Sequence, residues 1–298
     1  ILISAAEHHA VSRTATQLSN LHGFEVEIIP VDQFGIVDPD DVNKRIRDET
    51  AIVSIIFANN EIGSINPIRE IGDICRSQGV LFHTDAVQAA AHLPIDVEYL
   101  NVDLLSLGAH KFYGPKGVGA LYIREGTPIL PVQTGGGQEF NLRAGTHNIP
   151  LIVGMERAFE LAQGNHEERN KHYSSMRDLL FSALSETIPS MKITGHPSQR
   201  LPNHASFAFK NVDGNTLLMM LDASGFACSS GSACKTGSPE PSDVLLAMGL
   251  PSSWALGSLR VTLGQDTSSE DLEGFLDVLP KLVSQVRELG KLNRPNLQ

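Results

Sequence analysis

Short, uninterrupted apolar runs alternate with amphipathic helical patterns through the first half of the sequence. The clearest runs cover residues 52–57 and 104–107, and residues 1–3, 80–82 and 119–123 repeat the pattern. Strands buried on both faces of a parallel sheet have this continuous apolar character, and the helices that connect them pack on those faces. The alternation therefore predicts an α/β fold in which helices sandwich a mainly parallel sheet.

Helix start and stop signals lie between the apolar runs. Val11, Ala15 and Leu18 recur at helical spacing, and Gly23 follows as a C-terminal stop. Asp38, followed directly by a proline, fits a helix N-cap with proline in the first turn. These signals predict one helix after the first strand and another that begins after Asp38.

The second half of the chain has a different pattern. Residues 151–184 become helical and more charged, which predicts one long helix that leaves the sheet domain. The remainder mixes short strands, such as the alternating run at residues 205–209, with helices. A chain of 298 residues is long enough for two domains. We predict a large α/β domain over residues 1–160 and a smaller α+β domain over residues 161–298.

Composition and charge exclude several classes of protein. The net charge of -11, with no basic stripe, argues against nucleic-acid binding. Cys75, Cys228 and Cys234 show no C-x-x-C spacing, so neither a disulfide framework nor a zinc site is indicated. No apolar run approaches the roughly 20 residues that cross a bilayer, and no basic leader precedes the first strand. We expect a cytoplasmic protein that does not bind membranes.

Polar side chains directly follow four of the apolar runs. Ligands bind at the carboxyl ends of strands in open parallel sheets, so these residues are the first candidates for a functional site. Taken singly, each is weak evidence, because a lysine after a strand is usually solvated and an aspartate is most often a helix N-cap. Together they bring acid, amide, imidazole and ammonium groups to one edge of the sheet. The residues are Glu7, His8, His9, Asn59, Asn60, Glu61, Thr84, Asp85, Gln88, His110 and Lys111.

These residues lie in motifs that occur in one order along nearly the whole chain. The motifs are Glu-His at 7–8, Asn-Asn-Glu-Ile-Gly at 59–63, His-Thr-Asp-Ala-Val-Gln at 83–88, His-Lys-Phe-Tyr-Gly-Pro-Lys-Gly at 110–117, Arg-Ala-Gly-Thr at 143–146 and Ser-Ser-Gly-Ser-Ala-Cys at 229–234. In this order they resemble the motifs of cysteine desulfurases, which are class V aminotransferase-family enzymes of the fold-type I pyridoxal-phosphate group. The resemblance implies that residues 1–160 bind pyridoxal 5'-phosphate and that the smaller domain carries a catalytic cysteine loop.

The resemblance implies a role for each cofactor-binding residue. Lys111 would hold pyridoxal phosphate as a Schiff base, and Asp85 would pair with the pyridine nitrogen so that the ring can accept electrons. His8 would stack on the pyridine ring.

Four further positions would complete the cofactor site. Asn60 and Gln88 would bond the ring hydroxyl, while His110 and Thr146 would contact the phosphate. In the family the threonine reaches the cofactor of the other subunit, so a homodimer is the expected assembly.

Cys234 lies in a small, polar stretch, residues 229–241, that is typical of a loop rather than a core element. By the resemblance, the Cys234 thiolate takes sulfur from L-cysteine as a persulfide and leaves L-alanine. Lys235 would favour the thiolate, and His8 could exchange protons with it. Arg260 would bind the substrate carboxylate, with Asn60 beside it. The long loop resembles the group that donates sulfur to an acceptor protein or to an iron–sulfur cluster scaffold.

Two features depart from the family pattern. Gly108 stands where the family usually has a serine that contacts the phosphate, two residues before His110. The family also has an earlier segment whose Gly-Thr turn and helix N-terminus cradle the phosphate, and no such segment is found in residues 1–298. We therefore expect one weakened phosphate contact at Gly108 and, from the missing segment, either a fragment or truncated form or a chain whose incomplete phosphate site binds the cofactor poorly.

Two alternative functions remain open from the sequence. A selenocysteine lyase shares the lysine and the loop cysteine, and residues 110–115 and 135–139 closely resemble that enzyme too. A cofactor-poor, truncated subunit or scaffold of a sulfur-transfer complex would also retain Lys111, Asp85, His8 and Cys234. Comparison of the rates on cysteine and selenocysteine distinguishes the first alternative, and the absorbance of the purified chain distinguishes the second.

Overall fold

A six-stranded sheet is the largest sheet of the described chain. The computed structural model describes residues 1–164, 166–231 and 240–292. The strands are β1 (Leu2–Ser4), β2 (Glu27–Ile29), β3 (Ile52–Ile56), β4 (Leu81–Asp85), β5 (Leu104–Gly108) and β6 (Gly119–Ile123). They lie in the order β2-β1-β3-β4-β5-β6. The first five strands are parallel and β6 is antiparallel to β5, which confirms the mainly parallel α/β sheet.

Helices α1 (His9–His22), α2 (Pro39–Arg45), α3 (Ile68–Ser77) and α4 (Val97–Leu100) alternate with these strands. Their ends follow the signals in the sequence. Gly23 ends α1 with φ of 72°, a left-handed conformation that glycine adopts without strain. The Asp38 side chain accepts a hydrogen bond from the Asp40 backbone N–H and caps α2.

The core of this part consists of the apolar runs that predicted the sheet. Val53, Ile55, Phe82 and Leu105 are almost completely buried. Helix α3 packs against them with Ile71 and its neighbours on the buried face. Burial of apolar side chains on both faces of the sheet is the main stabilising term for such a layer.

The chain after the large sheet is helical, as the sequence predicts for residues 151–184. Helix α5 (Ile149–Gly164) and helix α6 (His166–Thr187) cover this range except residue 165, which lies outside the described residues. That the two form one continuous helix stays a prediction.

The remaining described chain forms a three-stranded antiparallel sheet with helices packed on it. The elements are β7 (Gly137–Gln138) and β8 (Arg143–Ala144), which pair with each other, then β9 (Met191–Ile193), β10 (His204–Phe209), α7 (Gly214–Ala223), α8 (Asp243–Ala247), α9 (Ser252–Ala255), β11 (Ser258–Thr262) and α10 (Ser269–Leu292). The order of the three strands in their sheet is β11-β10-β9.

Phe207, Phe209, Leu217 and Leu279 lie in a second core that is built mainly from this part. The division into domains at residue 160 stays a prediction. Among the helices of the described chain, none has the length and apolar character that a membrane crossing needs.

Candidate active site

The carboxyl ends of four neighbouring parallel strands carry the candidate residues. Glu7 follows β1, Asn60 follows β3, Asp85 ends β4 and Lys111 follows β5. Glu7 Oε1 accepts a hydrogen bond of 2.6 Å from the Ile56 backbone N–H, which fixes the segment after β1 to the end of β3. The parallel sheet thus brings these side chains to one edge, as the sequence predicts.

Asp85 and Lys111 interact electrostatically across this edge. Asp85 is buried, and its Oδ1 accepts a 2.9 Å hydrogen bond from the Val87 backbone N–H. Lys111 is exposed as a whole, but partial burial of its ammonium group and the charge of Arg260 lower its pKa, while Asp85 opposes the shift. The amine is therefore more readily neutral than that of an ordinary lysine, which suits a nucleophile or a base.

Glu7 is a buried acid beside Asp85. Burial raises its pKa well above the ordinary value, the Ile56 N–H opposes this, and the charge of Asp85 raises it further. The second carboxyl oxygen, Oε2, is buried and has no hydrogen-bond partner among the described residues. Both observations favour a neutral, protonated carboxyl.

His8, Asn60 and Arg260 line one cavity of about 460 Å³. The Arg260 guanidinium donates a 2.7 Å hydrogen bond from Nη1 to the Asn60 carbonyl oxygen. His8 caps α1, because its Nδ1 accepts from the Ala10 backbone N–H. The residues predicted to stack on the cofactor and to bind the substrate carboxylate therefore share a cavity.

Glu61 and Arg260 line this cavity together, and each charge affects the pKa of the other group. Burial raises the pKa of Glu61, while the Ser242 hydroxyl, which donates to Oε2, and the charge of Arg260 oppose the shift. Burial lowers the pKa of Arg260, and Glu61 opposes that shift. The sequence places Glu61 beside Asn60, but only the fold reveals its coupling to Arg260, which lies far along the chain on β11.

Lys111 borders a different and larger cavity of about 890 Å³, which His92, Tyr113 and Tyr173 also line. The structure therefore does not place Lys111 in the cavity of His8, Asn60 and Arg260. Lys111 lines one cavity and Arg260 lines the other, and the charge of Arg260 lowers the pKa of Lys111.

Three other predicted cofactor ligands lie apart from these contacts. Gln88 is half-buried, and His110 and Thr146 are exposed. Within residues 1–164, 166–231 and 240–292, no side-chain hydrogen bond joins any of these three residues to Lys111 or Asp85. Their roles stay predictions.

Cys234 and Lys235 lie outside the described residues. The described residues on both sides of that segment include Gly231 and Pro241, and both line the cavity of His8, Asn60 and Arg260. The described residues that flank this segment therefore lie at the cavity of His8, Asn60 and Arg260.

His83 is a residue of β4 for which the sequence predicts no role. Its Nδ1 lies 2.7 Å from Ser54 Oγ and its Nε2 lies 2.9 Å from Ser106 Oγ, so it bridges β3 and β5. Burial lowers its pKa, which keeps the ring neutral, although Asp85 opposes the shift. The two-residue spacing from Asp85 is the signal that could have found it, since alternate residues of a strand share a face.

Comparisons with known proteins give a consistent result. The protein family described as Aminotransferase class-V matches residues 1–275. The protein named cysteine desulfurase IscS of Methanosarcina thermophila is 49% identical over 292 residues, which are 98% of this chain and 72% of that protein. A cysteine desulfurase of Sinorhizobium fredii is 44% identical over 97% of this chain and 74% of its own length.

Solved structures are similar over the same range. A NifS-like protein superposes with a TM-score of 0.87 at 38% identity and covers 95% of this chain and 75% of its own. A structure of SspA in complex with cysteine gives a TM-score of 0.73 at 33% identity, over 88% of this chain and 73% of that one.

Proposed function

This chain belongs to the class-V aminotransferase family, and we propose that it is a pyridoxal-phosphate-dependent cysteine desulfurase that converts L-cysteine to L-alanine and collects the sulfur on Cys234. The observation that carries the proposal is that Asp85 and Lys111 lie at the carboxyl ends of the neighbouring strands β4 and β5, with Arg260 of β11 close enough for its charge to lower the pKa of Lys111. Relatives named cysteine desulfurase, at up to 49% identity over nearly the whole chain, support the activity.

The residues at this edge fit pyridoxal phosphate. Asp85 is a buried carboxylate of the kind that pairs with a protonated pyridine nitrogen, and the lowered pKa of Lys111 suits bonding to the cofactor aldehyde. Gly108 leaves a gap beside His110, the predicted phosphate ligand. A Cβ at Gly108 would fill this gap, because it would come into van der Waals contact, at 3.4 Å, with the His110 ring and with Val87. When bound, the cofactor supplies an electron sink for charge that develops on the substrate α-carbon.

The other cofactor contacts are assigned by resemblance to the family. His8 would stack on the ring, Asn60 and Gln88 would bond its hydroxyl, and His110 would hold the phosphate. Thr146 is exposed, as is required of a side chain that reaches the cofactor of a second subunit in a homodimer.

Arg260 would bind the substrate carboxylate. Its Nη1 is engaged by the Asn60 carbonyl, and no other side-chain hydrogen bond of Arg260 occurs within the described ranges. The remaining donors of the planar guanidinium can form two parallel bonds to a carboxylate. Partial burial of Arg260 strengthens such a pair by excluding water.

Lys111 and Cys234 would carry the proton and sulfur steps. Lys111 Nζ in its neutral form removes the α-proton of the bound cysteine. The Cys234 thiolate then attacks the substrate sulfur, so the S–S bond forms as the C–S bond breaks, and the carbon skeleton takes up a proton and leaves as L-alanine. His8 lines the cavity that Gly231 and Pro241 also line, and it would exchange protons with the thiol. The persulfide would then pass to an acceptor or iron–sulfur scaffold protein.

The test is a comparison of cysteine-to-serine variants in the presence of pyridoxal phosphate. Cys234→Ser should abolish alanine formation from L-cysteine. Cys228→Ser is the matched control and should retain it, because burial raises the pKa of Cys228 to about 11 and leaves that thiol unreactive at neutral pH.

Undiminished alanine formation by Cys234→Ser would contradict the proposal. A strong rate preference for selenocysteine over cysteine would assign the chain to selenocysteine lyases instead.

A further inference from the structure

His204 is a buried histidine that contacts Asn60, a residue of the 460 Å³ cavity, without lining that cavity itself. It begins β10 and is 2% exposed. Its Nε2 lies 3.1 Å from the Asn60 carbonyl oxygen. A carbonyl oxygen only accepts, so Nε2 must carry the hydrogen. Burial lowers the pKa of His204 to about 3, and Arg200 and Arg260 contribute, so the ring donates in its neutral form.

The Asn60 carbonyl receives a second hydrogen bond from Arg260. The Arg260 bond is 2.7 Å long, and the two donors come from the neighbouring strands β10 and β11. Asn60 and Arg260 line the 460 Å³ cavity, whereas His204 does not. One carbonyl thus joins a buried histidine to the arginine that faces the cavity.

The His204 ring is held in place by close packing. Gly63 has φ of 79°, and a Cβ at this position would come within 2.9 Å of the imidazole ring. The Gly63 carbonyl accepts from the Leu201 backbone N–H, which fixes the turn after β3 to the chain before β10. The Asn59 side chain caps the same turn by accepting from the Glu61 and Ile62 N–H groups. The ring and the carbonyl are therefore preorganised relative to each other.

We propose that His204 is a positioning residue for substrate recognition, because its Nε2–H fixes the Asn60 carbonyl that orients the Arg260 guanidinium toward a substrate carboxylate. The inference rests on the proposed function of Arg260. Without His204 the bond from Arg260 is the only one that the described residues donate to this carbonyl, and both groups can turn away from the cavity together.

The kinetic test uses three substitutions of His204 in the full chain with bound cofactor. His204→Leu removes the donor, and His204→Asn places an amide near Nδ1, which is the wrong position. Both should raise KM for L-cysteine about tenfold, as expected for loss of one buried hydrogen bond, with little change in kcat. His204→Gln places its amide nitrogen near the Nε2 position and should restore KM.

Cysteamine separates positioning from general damage, because it has the amine and thiol of cysteine but no carboxylate. Its affinity, measured from the absorbance change on binding, should be the same in all four proteins. An unchanged KM for cysteine in His204→Leu, or parallel losses of cysteine and cysteamine binding, would overturn the proposal.

A measurement without turnover covers the case in which the variants do not fold. Nitrogen-15 NMR of the histidine-labelled wild-type protein should report a neutral His204 ring with the hydrogen on Nε2 at neutral pH. A charged ring, or a hydrogen on Nδ1, overturns the inference whatever the activity. If the wild type forms no alanine, the proposed function fails instead.

Discussion

The buried carboxyl of Glu7 gives a stability prediction that depends on its protonation. Glu7 Oε1 accepts from the Ile56 N–H, and Oε2 is buried without a described partner. Glu7→Gln keeps the acceptor and replaces the acid O–H with an amide N–H of similar shape. The substitution therefore removes the titration but preserves the packing and the hydrogen bond.

The sign and size follow from proton linkage. Above the ordinary value of 4.5 the unfolded carboxyl is ionised, whereas the folded one, whose pKa is raised, stays protonated. The folded state then binds more protons, so its stability falls as the pH rises from 4.5 to the folded pKa. The loss is at most about 1.4 kcal/mol per pH unit, and it ends where the folded carboxyl ionises. Glu7→Gln has no carboxyl to titrate at this position. Its free energy of unfolding should therefore rise relative to that of the wild type by up to about 1.4 kcal/mol for each pH unit in this range.

The assay is urea unfolding of both proteins at several pH values from about 5 to about 8. The exposed Glu186, changed to Gln, is the matched control and should run parallel to the wild type. A constant difference between Glu7→Gln and the wild type across this range would refute a neutral Glu7.

Three further substitutions test other parts of the structure. Asp38→Ala removes the cap of α2 and should lower the free energy of unfolding by about 1 kcal/mol in urea; no loss would mean that the cap is not formed in solution. Gly63→Ala should cost more than about 1–2 kcal/mol by the same measurement, because strain at φ of 79° adds to contact with the His204 ring, and a neutral effect would contradict the turn. Asp85→Asn removes the charged partner of the pyridine nitrogen and should weaken pyridoxal-phosphate binding about tenfold in equilibrium dialysis, whereas unchanged affinity would place the ring elsewhere.

The sheet and the positions of its functional residues were predictable because they follow from local patterns. Continuous apolar runs mark β3 and β5, and parallel strands must place the residues after their carboxyl ends at one edge. Asp85 and Lys111 could therefore be assigned to one region from the sequence. The cap at Asp38 and the stop at Gly23 depend on only a few neighbouring residues and were equally predictable.

The remaining features depend on contacts between distant parts of the chain. The bond from His204 to Asn60 spans 144 residues, so no local pattern indicates it. The raised pKa of Glu7 results from burial, which the sequence does not state. Helix α10 was not anticipated; it contains Pro280, a residue that usually interrupts a helix, and its apolar side chains in the second core stabilise it.

The most direct test of the account is borohydride reduction of the purified chain with pyridoxal phosphate, followed by peptide mapping. We predict a pyridoxyl-phosphate group bonded to Nζ of Lys111, with labelling unchanged in the neighbouring control Lys116→Ala and lost in Lys111→Ala. Label on another lysine, or no label, would contradict the assignment of Lys111 and with it the proposed cysteine desulfurase site.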